Sequence, residues 1–164
     1  MLIEIQDLEK VYHDHGIPVH ALHTITMDIE EGEFSAIVGP SGSGKTTLLN
    51  MIGGLDVPSR GNITLAGTPI ASMSQRDLAN FRRDNIGFIF QNFNLIPVLT
   101  VAENIEYVMV LQDVPAKERR ERVASILYDV GLEGMEDRLP NNLSGGQQQR
   151  VAIARAMVAK PRII

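Results

Sequence analysis

The chain has 164 residues, enough for one core of ordinary size and too few for two independent domains. Its 44% hydrophobic and 21% charged content is that of a globular protein, and no apolar run approaches the roughly eighteen residues that span a bilayer. A formal charge of −5 argues against a nucleic-acid partner, and the absence of cysteine excludes disulfides and thiolate metal sites; Met1 to Asp7 has none of the basic-then-apolar character of a signal peptide, so a cytoplasmic location is expected.

From the amino terminus, Leu2 to Val11 alternates, with Ile3 and Ile5 apolar against Glu4 and Gln6, and Ile25, Met27 and Ile29 alternate in the same way. Both segments are predicted strands with one face exposed, joined through a turn at His13 to Pro18. After Glu31-Gly32, the run Phe34 to Val38 is almost wholly apolar, as a strand covered on both faces should be. It leads into Gly39-Pro40-Ser41-Gly42-Ser43-Gly44-Lys45-Thr46, and Lys45 to Ile52 reads as a helix stopped by Gly53-Gly54. Strand, glycine loop and helix in that order are the context in which such a loop cradles phosphate.

Asn62 to Leu65 reads as a short strand, and Ser74 with Asp77 as a capping box opening a helix to about Arg83. Ile86 to Phe90 reads as a second buried strand ending at Gln91. Thr100 with Glu103 forms another capping box, while Pro115 opens and Gly131 closes a helix from Ala116 to about Val130. The basic clusters Arg82-Arg83 and Lys117 to Arg122 read as solvated helix surface.

Two segments carry the chemistry. Gly39, Gly42 and Gly44 let backbone N–H groups converge on phosphate oxygens at the positive end of the following helix; Lys45 adds a charge for the β- and γ-phosphates, and the Thr46 hydroxyl is a ligand for the bridging magnesium ion. Further on, Leu143-Ser144-Gly145-Gly146-Gln147 places an N-cap serine before two glycines, each costing about 1 kcal/mol in a helix relative to alanine. Helix stability does not account for them; close approach of another backbone or a phosphate to the head of the helix from Gln147 to Val158 does.

The phosphate loop together with Leu143 to Gln147 resembles the Walker A loop and signature loop of the ATP-binding-cassette (ABC) ATPases. The resemblance implies an α/β P-loop NTPase fold with an amino-terminal antiparallel β-subdomain, an incomplete RecA-like parallel core and a helical insert. The expected division is about 1–94 for the β-subdomain and first part of the core, about 95–155 for the helical subdomain, and about 156–164 for the start of the Walker B strand. Gln91 is similar to the Q-loop glutamine, a sensor of magnesium and attacking water and, with Lys45, the candidate catalytic residue. Tyr12 matches the position whose ring stacks on adenine, although core packing accounts for a tyrosine there equally well.

The resemblance further implies ATP and Mg2+ as ligands, with Thr47 beside Thr46 in the nucleotide site and Thr46 and Gln91 as metal contacts. Cassettes of this family pair head to tail, so Ser144, Gly145, Gly146 and Gln147 would meet the ATP of a second cassette. Gly53-Gly54-Leu55-Asp56, Arg82 to Gly87, Phe93 to Pro97 and Thr100 to Asn104 are similar to the lipoprotein-releasing and macrolide-exporter cassettes, which export lipids, peptides or drugs through transmembrane permease subunits at the inner face of the membrane.

The Walker B aspartate, catalytic glutamate and D-loop of the family do not occur within these residues, and His13, His15, His20 and His23 all precede the Walker A loop, so none matches the switch histidine. A C-terminally incomplete cassette that binds ATP without turning it over is therefore expected. A phosphotransferase or GTPase of another P-loop family, and a non-hydrolytic regulatory module that pairs with intact cassettes, are the alternatives.

Overall fold

The computed structural model describes residues 1–164, apart from the side chain of Asp14. They divide into two compact units, Met1–Ala79 and Asn80–Ile164.

The first unit is built on an antiparallel sheet of order β2-β1-β3-β4, with β1 at Ile3–Asp14, β2 at Ile17–Ile29, β3 at Arg60–Leu65 and β4 at Thr68–Pro69. The hairpin between β1 and β2 is longer than the alternation alone indicates: His13 pairs with Pro18, which leaves His15-Gly16 as the tight turn. Alternation buries Ile3 and Ile5, then shifts parity so that Leu8 is the next buried residue. The cause is an irregularity in both ladders around Asp7, whose φ is 48°. Gly61 lies against that bulge with φ 86°, where a Cβ would collide with the Asp7 carbonyl. Helix α1, Lys45–Ile52, packs on β2 and β3 and buries Leu48, Met51 and Ile52.

Helix α2, Gln75–Asn85, begins where Ser74 predicts it. The Asp77 amide donates to Ser74 Oγ at 3.2 Å, and the Ser74 hydroxyl donates to Asp77 Oδ2 at 2.6 Å.

The second unit is mainly helical, with α3 at Val101–Leu111, α4 at Ala116–Asp129 and α5 at Gly145–Met157. Thr100 with Glu103 and Ser144 with Gln147 form complete capping boxes. The core joins Val101, Ile105 and Met109 of α3 to Val123 and Leu127 of α4 and to Val151 and Ala154 of α5. The basic clusters are balanced by acids, Arg83 by Asp84, Lys117 by Glu121, Arg119 by Glu106 and Arg122 by Glu118.

Two expected strands do not form. Phe34 to Val38 forms no strand pairing, with Phe34 98% and Val38 86% exposed. Of Ile86 to Phe90, only Ile86 bridges, in parallel, to Ile163, and Ile89 and Phe90 are exposed. A parallel strand exists by its hydrogen bonds to flanking strands. Among the described residues nothing else pairs with either segment, and Phe34, Val38, Ile89 and Phe90 stay uncovered. Ile163 carries the single bridge of the last residues, and α5 extends to Met157 before them.

Asn104 is the buried polar residue of the second unit's core. Its Oδ1 accepts from Ile96 N at 2.8 Å, and its Nδ2 donates to the carbonyls of Ile96, Leu99 and Thr100 at 3.1, 2.9 and 2.9 Å. Replacing it with alanine leaves the Ile96 amide and the Leu99 carbonyl without partners, while the Ile96 and Thr100 carbonyls keep the amides of residues 99 and 104, and a destabilisation of about 2–3 kcal/mol is expected in urea unfolding. A loss below about 1 kcal/mol would show that the segment before α3 holds its shape by itself.

Candidate functional site: a phosphate loop and a glycine-headed helix

Residues 39–44 run as an irregular loop into α1. Gly44 is its N-cap, in a left-handed conformation with φ 87° and no side-chain hydrogen bond to the helix. A Cβ at Gly44 would stand 2.5 Å from the Ala21 carbonyl oxygen and 2.9 Å from Leu22 Cδ2, so glycine is required both by conformation and by the close approach of β2. The first turn of α1 contains no acidic residue. Its leading amides have neither intrahelical acceptors nor a capping side chain, which leaves a concentration of N–H groups at the positive end of the helix.

Lys45 folds back over the loop. Its ammonium donates to the carbonyls of Gly39 at 2.9 Å and Pro40 at 2.7 Å, which holds the charge beside the amides. Ser41, Gly42, Ser43, Gly44, Lys45, Thr46 and Thr47 line an open cleft of about 340 Å³ whose far wall is Val19, His20 and Ala21 of β2. Thr46 is exposed, and Thr47 is half-buried in the same turn.

Tyr12, on β1, pairs across the strands with Val19, a residue of that wall. Its hydroxyl donates to Asp56 Oδ2 at 2.7 Å. Lys10 Nζ donates to Asp56 Oδ1 at 2.7 Å. The Asp56 bond and charge, with partial burial, raise the Tyr12 hydroxyl above its ordinary value. For Asp56, burial pushes the carboxyl up, but hydrogen bonds from Lys10, Tyr12 and the Val57 amide outweigh it and hold the group below the usual carboxylate range. Because the folded value lies below the unfolded one, the stabilisation from Asp56 is fully present above about pH 4 and is lost as pH falls through the folded value.

The remaining candidates lie in the second unit. Gln91 is exposed in a turn, followed by Phe93 and Asn94 with φ 61° and 47°. Arg155 of α5 holds that irregular backbone, donating from Nη2 to the Phe93 carbonyl at 2.7 Å and from Nη1 to the Asn94 carbonyl at 2.6 Å. Ser144 caps α5: its Oγ accepts from Gln147 N at 3.3 Å, and its own amide donates to Gln147 Oε1 at 2.8 Å. Gly145 and Gly146 have negative φ, and a Cβ at either would meet nothing within 4 Å. Nothing in this unit requires glycine at those positions.

The first unit thus gathers Tyr12 and Gly39 to Thr47, and the second carries Gln91 and Ser144 to Gln147. Lys10 and Asp56, which hold Tyr12, and Arg155, which holds the backbone after Gln91, are not foreseen from the sequence. The spacing of Lys10 and Tyr12 on one strand is the available signal for the first, whereas Asp56 lies 44 residues from Tyr12 and Arg155 lies 62 from Phe93. Among the described residues no cluster of histidine and carboxylate side chains could hold a metal by itself, and no helix is long and apolar enough to cross a membrane.

The chain is similar to known proteins. Residues 22–164 match the ABC transporter family. The chain is 47% identical to the macrolide export ATP-binding/permease protein MacB of Brucella melitensis over 99% of its own length and 25% of that protein. It is 46% identical to an uncharacterised ABC transporter ATP-binding protein of Thermotoga maritima over 99% of this chain and 70% of that one. Among solved structures it matches the ATP-binding cassette MJ0796, described as dimeric, post-hydrolysis and bound to ADP and Pi, with a TM-score of 0.90 and 42% identity over 97% of this chain and 70% of that chain. The chain spans about a quarter of the length of the macrolide exporters it resembles. With an α/β cassette fold in common and a family match running from β2 to Ile164, the chain belongs to the ABC transporter family, as an ATP-binding domain.

Proposed function

We propose that these residues grip ATP and Mg2+ for a transporter that exports a lipid, lipoprotein, peptide or drug through transmembrane permease partners, working at the cytoplasmic face of the membrane. The observation that carries the reading is the start of α1. Where α3 and α5 begin in side-chain capping boxes, α1 begins on a glycine pressed against β2, with uncapped amides and Lys45 beside them. That is a cradle shaped for a polyphosphate.

Within it, the backbone of Gly39 to Gly44 surrounds phosphate oxygens, Lys45 neutralises the β- and γ-phosphates, Thr47 stands in the same turn, and Tyr12 stacks on the base. In the first unit the Thr46 hydroxyl is a hard oxygen donor that suits Mg2+, whose other positions phosphate oxygens and water can fill, and in the second unit the Gln91 amide oxygen is a donor of the same kind. The ion would offset charge on the terminal phosphates. Ser144 to Gln147 serve the ATP of a second cassette paired head to tail, a reading supported by the glycines that this unit does not itself need and by the dimer described for the related cassette. A fused or separate permease is supported by the ATP-binding/permease proteins among the relatives.

Calorimetry of the full-length protein with MgATP, and with GTP as competitor, tests the nucleotide reading. Saturable MgATP binding displaced poorly by GTP is expected; preferential GTP binding would move the protein to another P-loop class. For residues 1–164 expressed alone, phosphate release at the rate of buffer with MgATP is expected, because positioned charge around the attacking water supplies most of the catalysis in phosphoryl transfer. Robust turnover by that polypeptide, abolished by Lys45→Ala, would place the water-activating group within it.

A further inference from the structure

Lys10, Tyr12 and Asp56 form a closed group, and Tyr12 pairs across the strands with Val19, which lines the phosphate-loop cleft. Asp56 receives the Tyr12 hydroxyl on one oxygen and the Lys10 ammonium on the other, each at 2.7 Å, and also the Val57 amide at 2.7 Å. Lys10 Nζ donates in addition to the Val57 carbonyl at 2.7 Å and lies over the Tyr12 ring, 4.8 Å from its centroid.

A strand tyrosine has two side-chain torsions, and here both are constrained at once. The far end of the ring is anchored at Asp56, and one face is covered by a cation whose side chain is only 11% exposed. Tyr12 nevertheless remains 39% exposed, so surface is left for a flat partner. Because Lys10 and Asp56 neutralise each other, the arrangement brings no net charge to a base, and a cation over one face leaves the other free to stack.

We propose that Asp56, with Lys10, is a positioning residue that holds the Tyr12 ring as a preformed stacking platform for the adenine of ATP. This rests on the assignment of Tyr12 to the base. It goes further in giving the turn after α1 a role in nucleotide affinity that acts through the ring and leaves the phosphate contacts alone. A merely structural tie between β1 and that turn would instead affect every ligand of the loop.

The test compares MgATP with magnesium inorganic triphosphate in calorimetry of the full-length protein. Tyr12→Ala should weaken MgATP about tenfold, within the range that stacking on one base is worth, and leave triphosphate unchanged. Asp56→Ala should weaken MgATP about threefold to fivefold, again sparing triphosphate, because an unanchored ring must be ordered on binding. Asp56→Asn, which keeps an acceptor for the hydroxyl, should recover most of that loss and serves as the well-folded control. In a Tyr12→Phe background Asp56→Ala should add little, since the hydroxyl through which it acts is gone. Ultraviolet titration should show one of the three tyrosines ionising at lower pH in Asp56→Ala than in the parent.

Tyr12→Ala without effect on MgATP would remove the base assignment itself. A normal loss in Tyr12→Ala with none in Asp56→Ala would leave that assignment standing and overturn the positioning role. Equal losses of MgATP and triphosphate in Asp56→Ala, or full additivity with Tyr12→Phe, would overturn it in favour of a structural tie.

Discussion

Lys45→Ala should lower the affinity for MgATP by roughly a hundredfold or more, with little change in melting temperature. A charge-assisted hydrogen bond is worth about 1.5–3 kcal/mol, and an ammonium reaching two phosphate groups makes at least two of them. At 1.4 kcal/mol per factor of ten, about 3 kcal/mol gives the hundredfold. The fold loses little, because the carbonyls of Gly39 and Pro40 that Lys45 contacts belong to exposed residues and can turn to water. This separates Lys45 from Gly44, where even alanine would push a Cβ into the Ala21 carbonyl and distort the loop itself. Isothermal calorimetry on both variants distinguishes lost charge from lost shape: Lys45→Ala should bind weakly while unfolding normally, and Gly44→Ala should lose binding together with stability. Unchanged affinity in Lys45→Ala would sink the phosphate-loop assignment.

Signals that depend on neighbours in sequence were readable before the structure. The start of α1 at Lys45 and its end before Gly53-Gly54, the capping box at Thr100, the N-cap at Ser144 and the opening of α4 after Pro115 all coincide with the expected positions, whereas α5 starts at Gly145, two residues before the expected Gln147. Each is decided within one turn of chain. Pairing was less readable, because an apolar run says that a strand should be covered and does not say by what. Phe34 to Val38 and Ile86 to Phe90 have the composition of central strands, yet the hydrogen-bond partners that would make them strands are not among the described residues. The bulge at Asp7 escaped notice for a related reason. Its cause lies in the fit of β1 to two other strands at once, and only the later burial of Leu8 betrays it. At the candidate site the same division holds. The phosphate loop and Ser144 to Gln147 are contiguous and carry their own signature, whereas the contacts that orient Tyr12, and those of Arg155 to the backbone after Gln91, join residues far apart in the chain.

Gly146→Gln should act in opposite directions on folding and on assembly. Gly146 sits in the first turn of α5 with ordinary helical backbone and open space around its missing side chain, and glycine is a poor helix former relative to glutamine. The variant should therefore leave the melting temperature of the nucleotide-free, full-length protein unchanged or slightly raised, by a stabilisation of about 0.5 kcal/mol. Monomeric MgATP affinity should also be unaffected if this helix start serves a different nucleotide from the one held at Lys45. Head-to-tail pairing in MgATP, followed by sedimentation or light scattering, should be abolished, because a side chain several atoms long would fill the space into which a partner's phosphate and loop must come. Ser144→Arg should block pairing as well but with a fold penalty of about 1 kcal/mol, since it also removes the N-cap. The comparison of the two separates occlusion from a damaged helix start. Intact pairing in Gly146→Gln would mean that nothing approaches this helix head closely. A fall in monomeric MgATP affinity equal to the loss of pairing would place the helix head in the nucleotide site of its own subunit.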